Sequence, residues 1–134
     1  MIFEGGCYCK AVRYRAEGEP TFRGQCHCRE CQYISGGAPN YFMVMPAAGF
    51  TYTEGQPRQY RRADLPNGVT REFCGVCGAH LTTRARPDSV VVKVGGMDDP
   101  SLYGGPQVVL WTDEAQSFHM IPDGAKAFPR FPQR

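Results

Sequence analysis

The chain has 134 residues, 42% of them hydrophobic and 21% charged, with a formal net charge of +2. That length suits one domain, residues 1–134, with a real core, and so small a net charge is unlike the strongly basic balance of a dedicated nucleic-acid binder. No apolar run reaches the ~18 residues of a membrane helix, and Met1 to Gly6 carries neither a basic nor an apolar signal segment, so a soluble cytoplasmic chain with no nucleic-acid or membrane partner is expected.

Glycine (16) and proline (11) are spread along the chain, which reads as short elements joined by frequent turns. Alternation predicts a strand over Ala11–Ala16, where Val12 and Tyr14 oppose Arg13 and Arg15. The segment Arg29–Ile34 invites a helix that Ser35-Gly36-Gly37 would stop, and the apolar run Tyr41–Met45 reads as a strand. Further strands are expected at Phe50–Thr53, Gln59–Arg62, Val69–Phe73, Leu81–Arg84, Val90–Val94 and Val108–Trp111. A second short helix is expected at Asp113–Phe118, whose first turn is acidic, and the prolines of Ala127–Pro132 favour an extended tail. The fold class is therefore mainly β: small antiparallel sheets around metal-bearing loops, with one or two short helices.

The seven cysteines fall into three groups: Cys7 and Cys9; Cys26, Cys28 and Cys31; Cys74 and Cys77. In a reducing compartment such clusters are metal ligands or reactive thiols more often than disulfides, and seven thiols cannot all pair within one chain. Cys74-Gly75-Val76-Cys77-Gly78 has the shape of a zinc knuckle: two intervening residues let one turn aim both sulfurs inward, and Gly75 and Gly78 permit unusual backbone angles. Cys7 and Cys9, among Gly5 and Gly6, are the available second pair, giving a closed shell of four thiolates that ties the N-terminus to the middle of the chain. The competing account makes these four small buried hydrophobes.

Cys26, Cys28 and Cys31 can reach one ion if the first two lie on an extended loop and the third on the first turn of the following helix. Three thiolates leave a zinc ion one open position and make it a poor Lewis acid toward water, which suits it to an incoming thiol. The expected chemistry is carbon–sulfur bond formation or cleavage. Two other readings compete: a second structural zinc completed by a fourth ligand such as His80 or His119, and a redox thiol cluster.

Other candidates are less defined. His27, between two ligands, can relay a proton, steer a carboxylate or act as a solvated spacer, and Tyr33 and Asn40 are possible pocket residues. Arginine outnumbers lysine twelve to three, and Arg58, Arg61, Arg62 and Arg71 surround an expected hairpin; they either clamp substrate carboxylates or form a solvated charged face. Trp111 with Val108, Val109 and Leu110 reads as core.

Gly6-Cys7-Tyr8-Cys9, the block Cys26-His27-Cys28-Arg29-Glu30-Cys31 followed by Gly36-Gly37-Ala38, and Phe73-Cys74-Gly75-Val76-Cys77-Gly78 together resemble the glutathione-dependent formaldehyde-activating enzyme family. The resemblance implies an Mss4-like fold with two zinc ions. It implies a structural ion on Cys7, Cys9, Cys74 and Cys77 and a catalytic one on Cys26, Cys28 and Cys31. The implied activity is condensation of glutathione with formaldehyde to S-hydroxymethylglutathione, named in reverse as a carbon–sulfur lyase. Family members usually carry glycine directly after the first pair, where this chain has Lys10, and a tryptophan where Phe118 stands. The alternative to an enzyme is a non-catalytic zinc module that binds a protein or a nucleic acid.

Overall fold

The computed structural model describes residues 1–132. Strands β1 (Ile2–Gly6), β2 (Arg13–Glu17) and β5 (Phe50–Glu54) form an antiparallel sheet in the order β1-β2-β5. A second sheet of eight strands has the order β11-β10-β3-β4-β9-β8-β7-β6. Its members are β3 (Phe22–Cys26), β4 (Asn40–Pro46), β6 (Arg58–Tyr60), β7 (Thr70–Phe73), β8 (His80–Arg84), β9 (Ser89–Lys93), β10 (Val108–Leu110) and β11 (Lys126–Ala127). Pairing there is antiparallel except at β10, which runs parallel to both β3 and β11.

The apolar run around Tyr41–Met45 becomes β4, buried on both faces as a continuous hydrophobic strand should be. Met43 and Met45 join Val90 and Val92 of β9 against Phe3, Tyr14, Ala16 and Phe50 of the smaller sheet, so the main core lies between the two sheets. Phe42 and Val44 point the other way, into a second cluster with Cys26, Cys31 and Leu110. A third cluster, Cys7, Val12, Cys74 and Leu81, gathers around the remaining cysteines.

The expected helix forms as α1 (Arg29–Ile34), with Cys28 as its N-cap and Ser35 as its C-cap. The second expected helix does not: only Thr112–Glu114 turns, as a 3-10 segment, and the chain then bends so that the Gln116 N–H donates to His119 Nδ1 at 3.0 Å. That side-chain acceptor competes with the helical ladder for the N–H. Strands β1, β3 and β11 were not expected. In β3, Gly24 breaks the apolar pattern because the Phe42 ring of β4 lies where a side chain would stand, and the Gly24 carbonyl accepts a 2.6 Å bond from the Tyr103 hydroxyl.

One buried carboxylate joins the sheets. Glu72 of β7 accepts from the hydroxyls of Tyr52 (2.9 Å) and Thr82 (2.7 Å), from Arg84 Nε (2.8 Å) and from Gln59 Nε2 (2.9 Å). Burial pushes its carboxyl up, but these four donors outweigh it and hold the group below its ordinary value. Among the described residues no helix is long and apolar enough to cross a membrane.

Candidate metal centres

The sulfurs of Cys7, Cys9, Cys74 and Cys77 all lie within 4.8 Å of one another. Cys7 follows the end of β1, and its turn is closed by bonds from Cys7 N–H to the Val12 carbonyl (3.0 Å) and from Lys10 N–H to the Cys7 carbonyl (3.2 Å). Cys74 follows β7; its turn is closed by Cys74 N–H to the Ala79 carbonyl (3.0 Å) and Gly78 N–H to the Cys74 carbonyl (2.9 Å). Of the two knuckle glycines only Gly78 uses the left-handed region, at φ 78°. Backbone N–H groups aim at the sulfurs: Val12 at Cys7 (3.2 Å), and Val76 and Cys77 at Cys74 (3.3 and 3.5 Å).

This group fits a tetrahedral thiophilic ion. Bonds of about 2.3 Å to a central zinc place tetrahedral sulfurs about 3.8 Å apart, and the Cys7–Cys9 and Cys9–Cys74 separations are 3.6 and 3.7 Å. They are far too long for disulfides, whose sulfurs sit about 2.05 Å apart, and all seven cysteines are free. The electrostatics of the four thiols are compatible with a central cation. Hydrogen bonds led by the Ala79 N–H draw the Cys77 thiol down to about 6. At Cys9 the Ala11 N–H favours the thiolate, yet desolvation and the three neighbouring thiols push it up to about 11. Ionising one sulfur thus suppresses the next, a conflict that a central positive charge removes.

Lys10 occupies the turn between Cys9 and β2 at φ 68°, a left-handed conformation that a side chain disfavours. Lys10→Gly is expected to stabilise the fold by about 0.5 to 1 kcal/mol, read as a higher denaturant midpoint with unchanged slope. An unchanged or lower midpoint would contradict this.

The second group comprises Cys26, Cys28 and Cys31, again with all sulfurs within 4.8 Å of one another. Cys26 ends β3 between Leu110 of β10 and Asn40 of β4. Cys28 caps α1, its sulfur accepting the Cys31 N–H at 3.4 Å, and Cys31 sits in the first turn. Cys26 and Cys31 are buried, whereas Cys28 is partly exposed. The neighbouring thiols Cys26 and Cys31 draw Cys28 down to about 2, while bonds to Cys28 and Cys31 push Cys26 well above its ordinary value. Three crowded sulfurs again share too few positive charges, and the donor set fits a thiophilic cation.

Among the described residues no histidine nitrogen or carboxylate oxygen joins this trio. His119 is engaged at both ring nitrogens: Nδ1 accepts the Gln116 N–H, and Nε2 donates to the Gly37 carbonyl at 2.8 Å. His27 Nδ1 then donates to the same His119 Nδ1 (3.0 Å), and its Nε2 accepts from Gln25 Nε2 (2.9 Å). The hydrogen bonds assign both rings as neutral, and burial, followed by the proximity of His119, lowers the His27 pKa. His27 is fully buried. It is thus neither a solvated spacer nor a group facing substrate; it locks the Cys26–Cys28 loop onto the C-terminal segment.

The charged surroundings of the trio come from Lys93 and Arg71. Burial pushes the Lys93 ammonium down to about 8, against the three thiols, which hold it up. Arg71 of β7 lies near enough to Cys28 to favour its thiolate. Of the other arginines of the expected cluster, Arg62 pairs with Asp64 at 2.6 Å and with Glu30 at 3.6 Å, Arg58 lies against Gly75, and Arg61 lines a separate pocket with Arg84 and Arg86. Tyr33 is exposed beneath the Arg29 guanidinium, and Phe118 is exposed against the His119 ring. Asn40 is buried in the wall of a cavity beside the trio. Trp111 is half-buried against the cluster around Cys26 and Cys31 rather than central to a core. Sequence reading missed Lys93 and the His27–His119 bond; Lys93 looked like the polar end of a strand, and the histidines are 92 residues apart.

The two cysteine groups on a mainly β scaffold define the class: a small β protein able to carry metal on thiolates. The chain belongs to the glutathione-dependent formaldehyde-activating enzyme family, whose model matches residues 2–114, a span that includes all seven cysteines. Its fold is similar to the crystal structure of a Rhodobacter sphaeroides protein. The TM-score is 0.60 at 19% identity, covering 77% of this chain and 96% of that one. No curated protein sequence matches the chain.

Proposed function

We propose that the protein is a zinc-dependent enzyme of the carbon–sulfur lyase type that activates a small-molecule thiol at Cys26, Cys28 and Cys31. The substrates proposed are glutathione and formaldehyde, and the product S-hydroxymethylglutathione. The observation that carries this reading is a three-sulfur group with no fourth protein ligand among the described residues, beside a separate group of four. The family's name supplies the thiol and the aldehyde. In this reading Cys7, Cys9, Cys74 and Cys77 hold a structural zinc, residues 1–134 act as one zinc domain, and seven free thiols suit the reducing cytoplasm.

Zinc bound at the trio supplies a charge that lets a thiol shed its proton at neutral pH. The chain's own residues then do the rest. Cys28 is the partly exposed member, so the substrate sulfur approaches from its side, while Phe42, Val44 and Leu110 keep water from Cys26 and Cys31. The α1 cap fixes Cys28 relative to Cys31, and the His27 lock fixes Cys26 relative to Cys28. The substrate sulfur forms a bond to the aldehyde carbon, the carbonyl pair moves to oxygen, and that oxygen takes up the proton the thiol gave up. The reverse sequence breaks the carbon–sulfur bond. Holding both reactants together supplies the orientation they lack in water.

Exchange NMR on glutathione and formaldehyde tests the proposal. The zinc-loaded protein is expected to accelerate adduct formation and breakdown in proportion to its concentration. No acceleration over the spontaneous reaction, with several thiols tried, would leave a metal-binding module and overturn the enzyme reading.

A further inference from the structure

Beside the trio lies a cavity of about 400 Å³ whose wall includes Ile34, Ser35, Asn40, Tyr41, His80 and Lys93. Its position follows from strand register. Asn40 is paired with Cys26 across β3 and β4, and Lys93 is paired with Phe42 across β4 and β9. Directly paired residues share a face of a sheet, so Asn40, Phe42 and Lys93 stand on the face where Cys26 and Cys31 pack. Ile34 and Ser35, at the end of α1, close the same side.

The wall contains two nitrogen groups that lack a carboxylate or hydrogen-bond partner among the described residues. Lys93 is 7% exposed, and no carboxylate forms an ion pair with it among the described residues. His80 Nδ1 is buried with no hydrogen-bond partner. A buried ammonium and a buried orphan nitrogen in one cavity are costly unless something fills it. One cation flanked by an amide, a hydroxyl and an imidazole suits a singly charged planar anion better than a phosphate dianion.

We propose that this cavity is the carboxylate subsite for the thiol substrate, and that Lys93 is the residue selecting acidic thiols over neutral ones. The proposal rests on the trio being the place where the substrate sulfur arrives. It extends that reading by naming the chemistry of the rest of the substrate: a thiol bearing a carboxylate a short chain away from sulfur, as in glutathione, with Asn40 and Ser35 orienting the carboxylate oxygens and Tyr41 and Ile34 flanking the stem.

Two readouts test it separately from turnover. S-methylglutathione has the carboxylates but no free thiol, so its binding by calorimetry reports the subsite alone. Lys93→Met removes the charge at similar volume, a change that buried positions tolerate, and is expected to weaken S-methylglutathione binding about 30-fold. It should raise the KM for glutathione by about the same factor, and at least about tenfold more than it raises the KM for 2-mercaptoethanol. Ser35→Asp, which adds a negative charge at the cavity wall, should weaken S-methylglutathione in the same direction.

Equal losses toward glutathione and 2-mercaptoethanol would overturn the proposal, because Lys93 would then serve the thiolate centre itself. Failure of S-methylglutathione to bind wild type, or equal binding to wild type and Lys93→Met, would overturn it whatever turnover shows. Lys93-dependent binding in a protein that turns over no thiol would uphold the subsite and sink the enzyme reading instead.

Discussion

Cys77→Ala is expected to yield no folded protein: the variant should be recovered as insoluble material, or as a metal-poor chain without a cooperative thermal transition. The four sulfurs bring together two turns 65 residues apart, and closing a loop of that length costs the chain about 4 kcal/mol. A structural zinc on four ligands contributes on the order of 10 kcal/mol or more to folding, comparable to the whole stability of a typical domain, about 5 to 15 kcal/mol. Val12 and Leu81, which pack on Cys7 and Cys74, form too small a cluster to hold the turns together alone. A chelator strong enough to strip the wild type should reproduce the variant's behaviour. Circular dichroism and metal analysis check both, and a Cys77→Ala protein with native spectrum and full metal content would refute the assignment of these four residues.

Cys28→Ser is expected to behave in the opposite way, abolishing thiol chemistry while sparing the fold. The loss should reach about 10³-fold in kcat/KM, or about 4 kcal/mol of transition-state stabilisation. Serine keeps the helix cap, since its hydroxyl accepts the N–H that the Cys28 sulfur now accepts. Cys28 is also the least buried of the three, so the apolar cluster around Cys26 and Cys31 stays packed. The melting temperature should therefore change by less than about 5 °C, the effect of roughly 1 kcal/mol. Retained activity would remove Cys28 from the site, and wholesale unfolding would make the trio a second structural staple.

These contrasting outcomes were partly visible in the sequence. Cysteine spacing carries its own geometry, so the groups of four and three could be read from order alone, and so could α1, bounded by the cysteine trio and Ser35-Gly36-Gly37. The buried strand β4 was legible because apolar residues fill both of its faces. Strand β3 was not, because its pattern is broken by Gly24, whose missing side chain makes room for a ring on the neighbouring strand. The parallel pairing of β10 with β3 joins residues more than eighty positions apart and has no local signal. The same holds for Glu72, whose four donors come from three different strands. Lys93 is instructive: its place in a strand was read correctly, but that it forms no ion pair with a carboxylate among the described residues is a property of the packed sheet.

The division into a closed group of four and an open group of three is tested most directly by counting metal. Zinc per folded chain, measured for wild type and Cys28→Ser purified with glutathione present, should be two and one respectively, one for each cysteine group of the wild type and only the four-sulfur group of the variant. A single zinc in both proteins, or two in both, would contradict it.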